Sequence, residues 1–143
     1  MKVLITGITG FVGSHLAEYC LSKPDVKVYG TVFSHHLGDE LKRVEHLKDK
    51  IELLECNLQN RVAVQRVMEK VKPDKIFHLA AQSFVPVSWQ SPEDTLTNNI
   101  ISELNIFEAV REMRIHPVIH IAGSSEEYGL VKEGELPIKD QIL

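Results

Sequence analysis

The chain has little cysteine, few aromatic residues, no marked excess of one charge and no long apolar run. Each shortage excludes something. Its two cysteines, Cys20 and Cys56, build no disulfide framework and fit no zinc-ligand spacing. A reducing cytoplasm is therefore the expected compartment. A net charge of −4 with no basic run leaves no electrostatic footprint for nucleic acid. No apolar stretch approaches the roughly 20 residues of a membrane span, and the run after Lys2 is far too short for a signal peptide. Seven histidines invite a metal reading, but none stands in a His-Glu-x-x-His pattern. His116 and His120 straddle Pro117, so no helix presents them on one face. No metal site is expected. What is present is an ordinary globular mixture, 43% hydrophobic and 25% charged, in 143 residues, about one domain's worth.

Apolar runs and helical periodicities alternate along it. Lys2 to Thr6, Val26 to Phe33, Ile51 to Cys56, Lys75 to Ala80 and Val118 to Ala122 read as strands. Between them, Val12, Leu16 and Cys20 repeat at helical spacing, and Pro24-Asp25 ends that helix. Glu40 to Lys50 reads as a weak, charged helix or turn. Asn60 can cap a helix whose inner face is Val64, Val67, Met68 and Val71. A long loop containing Pro86 is expected next, then a helix from about Pro92 to Met113 with Leu96, Ile100, Leu104, Phe107 and Val110 on one stripe. Alternation of this kind predicts an α/β fold, a doubly wound parallel sheet of the Rossmann kind with five strands in the order 3-2-1-4-5. The polar stretch from Leu130 to Leu143 carries no final helix, so the architecture is expected to be truncated after strand five.

The first strand runs directly into Thr-Gly-Ile-Thr-Gly-Phe-Val-Gly, Thr6 to Gly13. Gly7 permits a tight turn, Gly10 lets backbone approach a pyrophosphate, and Gly13 lets the helix pack close to the strand. Thr9, Phe11 and Val12 fill the turn around them. The helix N-terminus then offers free N–H groups and a partial positive charge to an anion. The strand before and the helix after supply the context that a bare glycine triplet lacks. There is no Gly-Lys-[Ser/Thr], which disfavours a nucleoside-triphosphate loop.

This turn resembles that of the extended short-chain dehydrogenase/reductases. Further matches lie in order: Asn57-Leu58, His-Leu-Ala-Ala-Gln-Ser (His78 to Ser83), Asn99, and Gly-Ser-Ser-Glu-Glu-Tyr-Gly (Gly123 to Gly129). Within that family the chain is similar to the nucleotide-sugar branch, GDP-4-keto-6-deoxymannose reductase first and GDP-mannose 4,6-dehydratase as the alternative. The resemblance implies a GDP-sugar substrate and an NAD(P)-binding domain over residues 1–143, with a C-terminal substrate domain absent from this chain. It places Asn57 and Leu58 at the adenine edge, Leu79, Ala80, Ala81 and Gln82 along the cofactor, and Asn99 near strand four. Ser83 and Glu126 become the expected sugar contacts. A non-catalytic dinucleotide-binding module, or a vestigial fragment, is the competing reading from another class.

The window Thr31 to His36 holds no Asp or Glu to bind a ribose 2′-OH, and no Arg of the kind the resembled dehydratases and reductases place there. The missing carboxylate favours NADP, with NAD as the alternative. Phe33 and Ser34 are the expected neighbours of that ribose, and His35 or His36 could donate to a phosphate. Past strand five, the resemblance makes Ser124, with Ser125 beside it, the hydroxyl partner of the sugar's reacting oxygen, and Glu126 the base. Tyr128 and Lys132 have the spacing of the family's acid/base couple, but Gly129 and Gly134 speak against a helix there. That spacing reads as chance, and the working pair is expected beyond Leu143. An open edge on strand five and the resemblance of the long helix to a dimer helix predict self-association, as a homodimer.

Overall fold

The computed structural model describes residues 1–33 and 39–124. Five parallel strands make one sheet: β1 (Lys2–Thr6), β2 (Lys27–Val32), β3 (Ile51–Glu55), β4 (Lys75–His78) and β5 (Val118–Ile121), in the order β3-β2-β1-β4-β5. β1 lies in the middle because it is apolar on both faces; Val3, Leu4, Ile5 and Thr6 are all buried. Its alternation divides the core in two. Val3 and Ile5 join Ile8, Ala17, Val28, Val44 and Leu47 under helix α1 (Phe11–Leu21). Leu4 joins Ile76 and the inner faces of α2 (Arg61–Val71) and α5 (Ser102–Met113) on the other side.

Helix α2 starts and packs as its pattern predicts. The Asn60 side chain accepts from the Ala63 amide at 3.0 Å, and Val64, Val67, Met68 and Val71 are buried. Lys72 closes it in the left-handed conformation (φ 47°), just before Pro73. The charged segment after β2 forms two short tight turns, Asp39–Arg43 and Glu45–Leu47, pinned by buried Val44 and Leu47.

Two expectations are corrected. The loop around Pro86 contains a short helix, α3 (Val85–Gln90), because Pro86 falls in its first turn, where proline's missing N–H costs nothing. The long helix is not uniform: α4 (Pro92–Leu96) passes through a π-helical turn, Thr97–Ile101, into α5. Of its apolar stripe only Val110 packs against the core. Leu96, Ile100, Leu104 and Phe107 are exposed, while Ser102, Asn105, Ile106 and Ala109 are buried. The inward face of α5 is partly polar because Asn105 donates from Nδ2 to the Leu58 carbonyl at 2.9 Å. In α1 the buried row is Gly13, Ser14, Ala17 and Cys20, and Val12 points outward.

Candidate functional site: a cleft at the carboxyl ends of the strands

All five strands are parallel, so their carboxyl ends share one edge of the sheet, the edge where open α/β folds bind ligands. There the chain leaves β1 through Gly7, whose φ of +70° only glycine adopts without strain. A Cβ on Gly7 would also stand 2.9 Å from the Ala80 nitrogen. The Gly10 amide donates to the Gly7 carbonyl at 3.0 Å, closing the turn. The first helical bond of α1 runs from the Ser14 amide to the Gly10 carbonyl, 3.0 Å. The amides of Phe11, Val12 and Gly13 therefore belong to the first turn, which has no intrahelical acceptors.

The three glycines do different work. A Cβ on Gly13 would lie 2.2 Å from the Gly7 carbonyl oxygen, so Gly13 is needed for the helix to approach the turn. A Cβ on Gly10 would meet only that same oxygen, at 3.1 Å, and otherwise project into open space. That space is a cleft of about 690 Å³, within the usual range for small-molecule sites. Among the described residues no Asp or Glu lines it. Bare backbone, free helix-terminal amides and a described lining without carboxylates suit a pyrophosphate. These features meet the requirements of a dinucleotide cofactor.

Beneath the turn, Thr6 ties the two central strands together. Its Oγ1 accepts from the Leu79 and Ala80 amides, 3.2 Å each, and donates to Nδ1 of His78, 2.8 Å away. His78 is thus held as the neutral ring. Burial pushes its pKa below the ordinary histidine value, against a smaller opposing pull from Glu103. Leu79 and Ala80 are in this way fixed across from the glycine turn.

Of the residues singled out by sequence, Gly7, Thr9, Gly10, Phe11, Val12, Gly13, Phe33, Asn57, Leu58, Leu79, Ala80, Ala81 and Ser83 line the cleft. The Asn57 side-chain oxygen accepts from the Gln59 amide at 2.9 Å and retains a second lone pair. Gln82 and Asn99 are absent from the lining. They bind each other instead: Asn99 accepts from the Gln82 amide at 2.8 Å and donates to the Gln82 carbonyl at 3.1 Å. Asn99 therefore clamps the loop after β4 to the π-helical turn. Ser124 lies exposed beyond β5, on the same edge of the sheet. Ser34, Ser125, Glu126, Tyr128 and Lys132 lie outside the described residues.

Sequence reasoning missed Thr31, Val32, Arg43, Cys56, Gln59 and Asn98, which also line the cleft. Thr31 and Val32 follow directly from the strand-two reading. Asn98 and Gln59 are hydrogen-bonded to each other at 3.2 Å across a long sequence separation, which no local pattern signals. Burial pushes the Cys56 thiol up to about 11, so it forms a neutral wall.

The turn, the sheet order and the cleft define a Rossmann-type domain of the short-chain dehydrogenase/reductase class. The family profile described as GDP-mannose 4,6 dehydratase matches residues 4–141, and the chain belongs to that family, within the nucleotide-sugar dehydratases and epimerases. A GDP-mannose 4,6-dehydratase of Vibrio cholerae serotype O1 is 37% identical over 137 residues, which is 91% of this chain and 37% of that protein. A GDP-mannose 4,6 dehydratase of Caenorhabditis elegans is 33% identical, over 91% of this chain and 36% of its own length. Among solved structures, the Thermus thermophilus UDP-glucose 4-epimerase in complex with NAD superposes with a TM-score of 0.78 at 29% identity. The match covers 94% of this chain and 42% of that one. The chain thus spans well under half the length of these relatives.

Proposed function

We propose that this chain is the cofactor-binding part of a GDP-mannose 4,6-dehydratase, and that its dinucleotide is NADP in preference to NAD. The names of the relatives favour the dehydratase over GDP-4-keto-6-deoxymannose reductase, which the motifs alone put first. The observation that carries the reading is the bare Gly10 backbone at the mouth of α1, open to a cleft whose described lining holds no carboxylate. In such an enzyme the nicotinamide, when bound, supplies the hydride acceptor and donor. The chain's own residues hold the dinucleotide and orient it. First-turn amides take the pyrophosphate, Leu58 and Asn57 face the adenine, and Ala80 and Ala81 leave room along its length. Ser124 would hydrogen-bond the sugar oxygen undergoing redox change, with Ser125 beside it, and Glu126 would remove the proton next to the ketone.

The two buried free thiols, Cys20 and Cys56, suit a reducing compartment such as the cytoplasm. No helix among the described residues is long and apolar enough to cross a membrane. The exposed row Leu96, Ile100, Leu104 and Phe107 supports a homodimer through this helix.

Calorimetric titration with NADPH and NADH tests the central claim, repeated on Gly10→Leu. Gly10 has φ −70° and ψ 170°, which any residue adopts, so the variant is expected to fold. Its side chain would occupy the pyrophosphate's place, and affinity should fall on the order of tenfold or more, about 1.4 kcal/mol. Unchanged affinity would remove the phosphate-loop reading.

A further inference from the structure

Resting on that dinucleotide reading, we infer that Arg43 reads the 2′ position of the adenosine ribose and selects a 2′-phosphate there. β2 lies beside β1 in the sheet, so a dinucleotide held at the glycine turn extends its adenosine across the carboxyl end of β2. A ribose-binding carboxylate would stand at that end, and the described residues there, Thr31, Val32 and Phe33, are uncharged. Arg43 comes to the same part of the cleft from the turn Asp39–Arg43 and is the only charged side chain among the described lining residues.

Its position is set by backbone rather than by a partner. Adjacent Val44 is 1% exposed in the core cluster with Ile8, Val28 and Val32, so residue 43 is held at the rim. Two carboxylates of the neighbouring segments are paired elsewhere, Glu45 with Lys48 at 2.9 Å and Glu18 with His46 at 2.6 Å. Among the described residues Arg43 has no ion pair and no side-chain hydrogen bond. An exposed guanidinium at the rim of a cleft whose described lining holds no acid presents a planar fork to an anion, and such forks match phosphate oxygens in pairs. Sequence reasoning looked for this arginine immediately after strand two; the fold delivers one from the next turn instead.

The test uses the full chain and two variants, Arg43→Gln and Arg43→Lys, with thermal melts to show that each is folded. Adenosine 2′,5′-bisphosphate and 5′-ADP serve as probes that differ at the 2′ position, alongside NADPH and NADH. The wild-type chain is expected to bind the 2′-phosphorylated member of each pair more tightly. Arg43→Gln should lower affinity for that member by roughly 10- to 100-fold while leaving 5′-ADP and NADH within about twofold, the range expected for losing a charged hydrogen bond. Arg43→Lys should recover part of the loss. An equal effect on both members of a pair, or none on either, would overturn the role of Arg43 and leave dinucleotide binding standing. A wild-type chain that favours 5′-ADP and NADH would do the same. Failure of all four nucleotides to bind the folded wild-type chain would overturn the dinucleotide reading itself, and this inference with it.

Discussion

Helices α2 and α5 lie side by side over the same face of the sheet, yet they use their apolar residues in opposite ways. In α2 the aliphatic row Val64, Val67, Met68 and Val71 is turned inward and sealed. In α5 and the turn before it, the longest apolar row, Leu96, Ile100, Leu104 and Phe107, faces out, and the inward row mixes Ile106 and Ala109 with Ser102 and Asn105. Periodicity announces that a helix has an apolar face; it does not say what covers that face. α2 spends its row on the domain's own core. α5 anchors the loop at Leu58 through Asn105 and leaves its row for something else.

This contrast can be broken experimentally, and the largest effect belongs to α2. Met68→Ala removes a fully buried side chain and is expected to destabilise the domain by about 2–4 kcal/mol in denaturant unfolding. A loss below about 1 kcal/mol would mean that the α2 row is not the core that its burial implies. Asn105→Ala comes second. It strands the Leu58 carbonyl at the foot of the cleft and should lower stability by about 1–2 kcal/mol. It should also weaken dinucleotide binding through looser placement of Leu58, which titration would register. Smallest in stability is the double change Leu104→Gln with Phe107→Gln, expected to shift unfolding by no more than about 0.5 kcal/mol per site, as surface substitutions do. The same variant should shift light scattering toward the monomer. A wild-type chain that is monomeric at high concentration would remove the homodimer and leave the outward row without a partner.

The fold was legible nearly throughout. Each strand came from a short β-branched or aliphatic run, because a central parallel strand must be apolar on both faces. Asn60 was readable as a cap because its role is played out within one turn. The misses share a different character. Val12 keeps helical spacing with Leu16 and Cys20, yet it points outward and lines the cleft. Gly13 must instead face the turn, since a Cβ there would collide with the Gly7 oxygen, and that one contact sets the rotation of the whole helix. The π-helical turn at Thr97–Ile101 gave no local signal, and it is tied to Asn99's reciprocal bonds with Gln82, a partner from a distant loop. Asn99 could be marked as part of the site region from its motif, but only the fold shows that its amide is occupied in holding that loop.

By itself the sequence determined the order of strands and helices, the family, and the glycine turn. These depend on residue types at short range: β-branched runs, helical periods and the conformational tolerance of Gly7. Tertiary structure decided which row of α5 meets the core, how α1 is rotated and which charged side chain reaches the cleft. Those choices turn on contacts between segments far apart in the chain. Gly13 against Gly7 sets a helix angle, and buried Val44 sets the reach of Arg43, so neither could be read from local spacing.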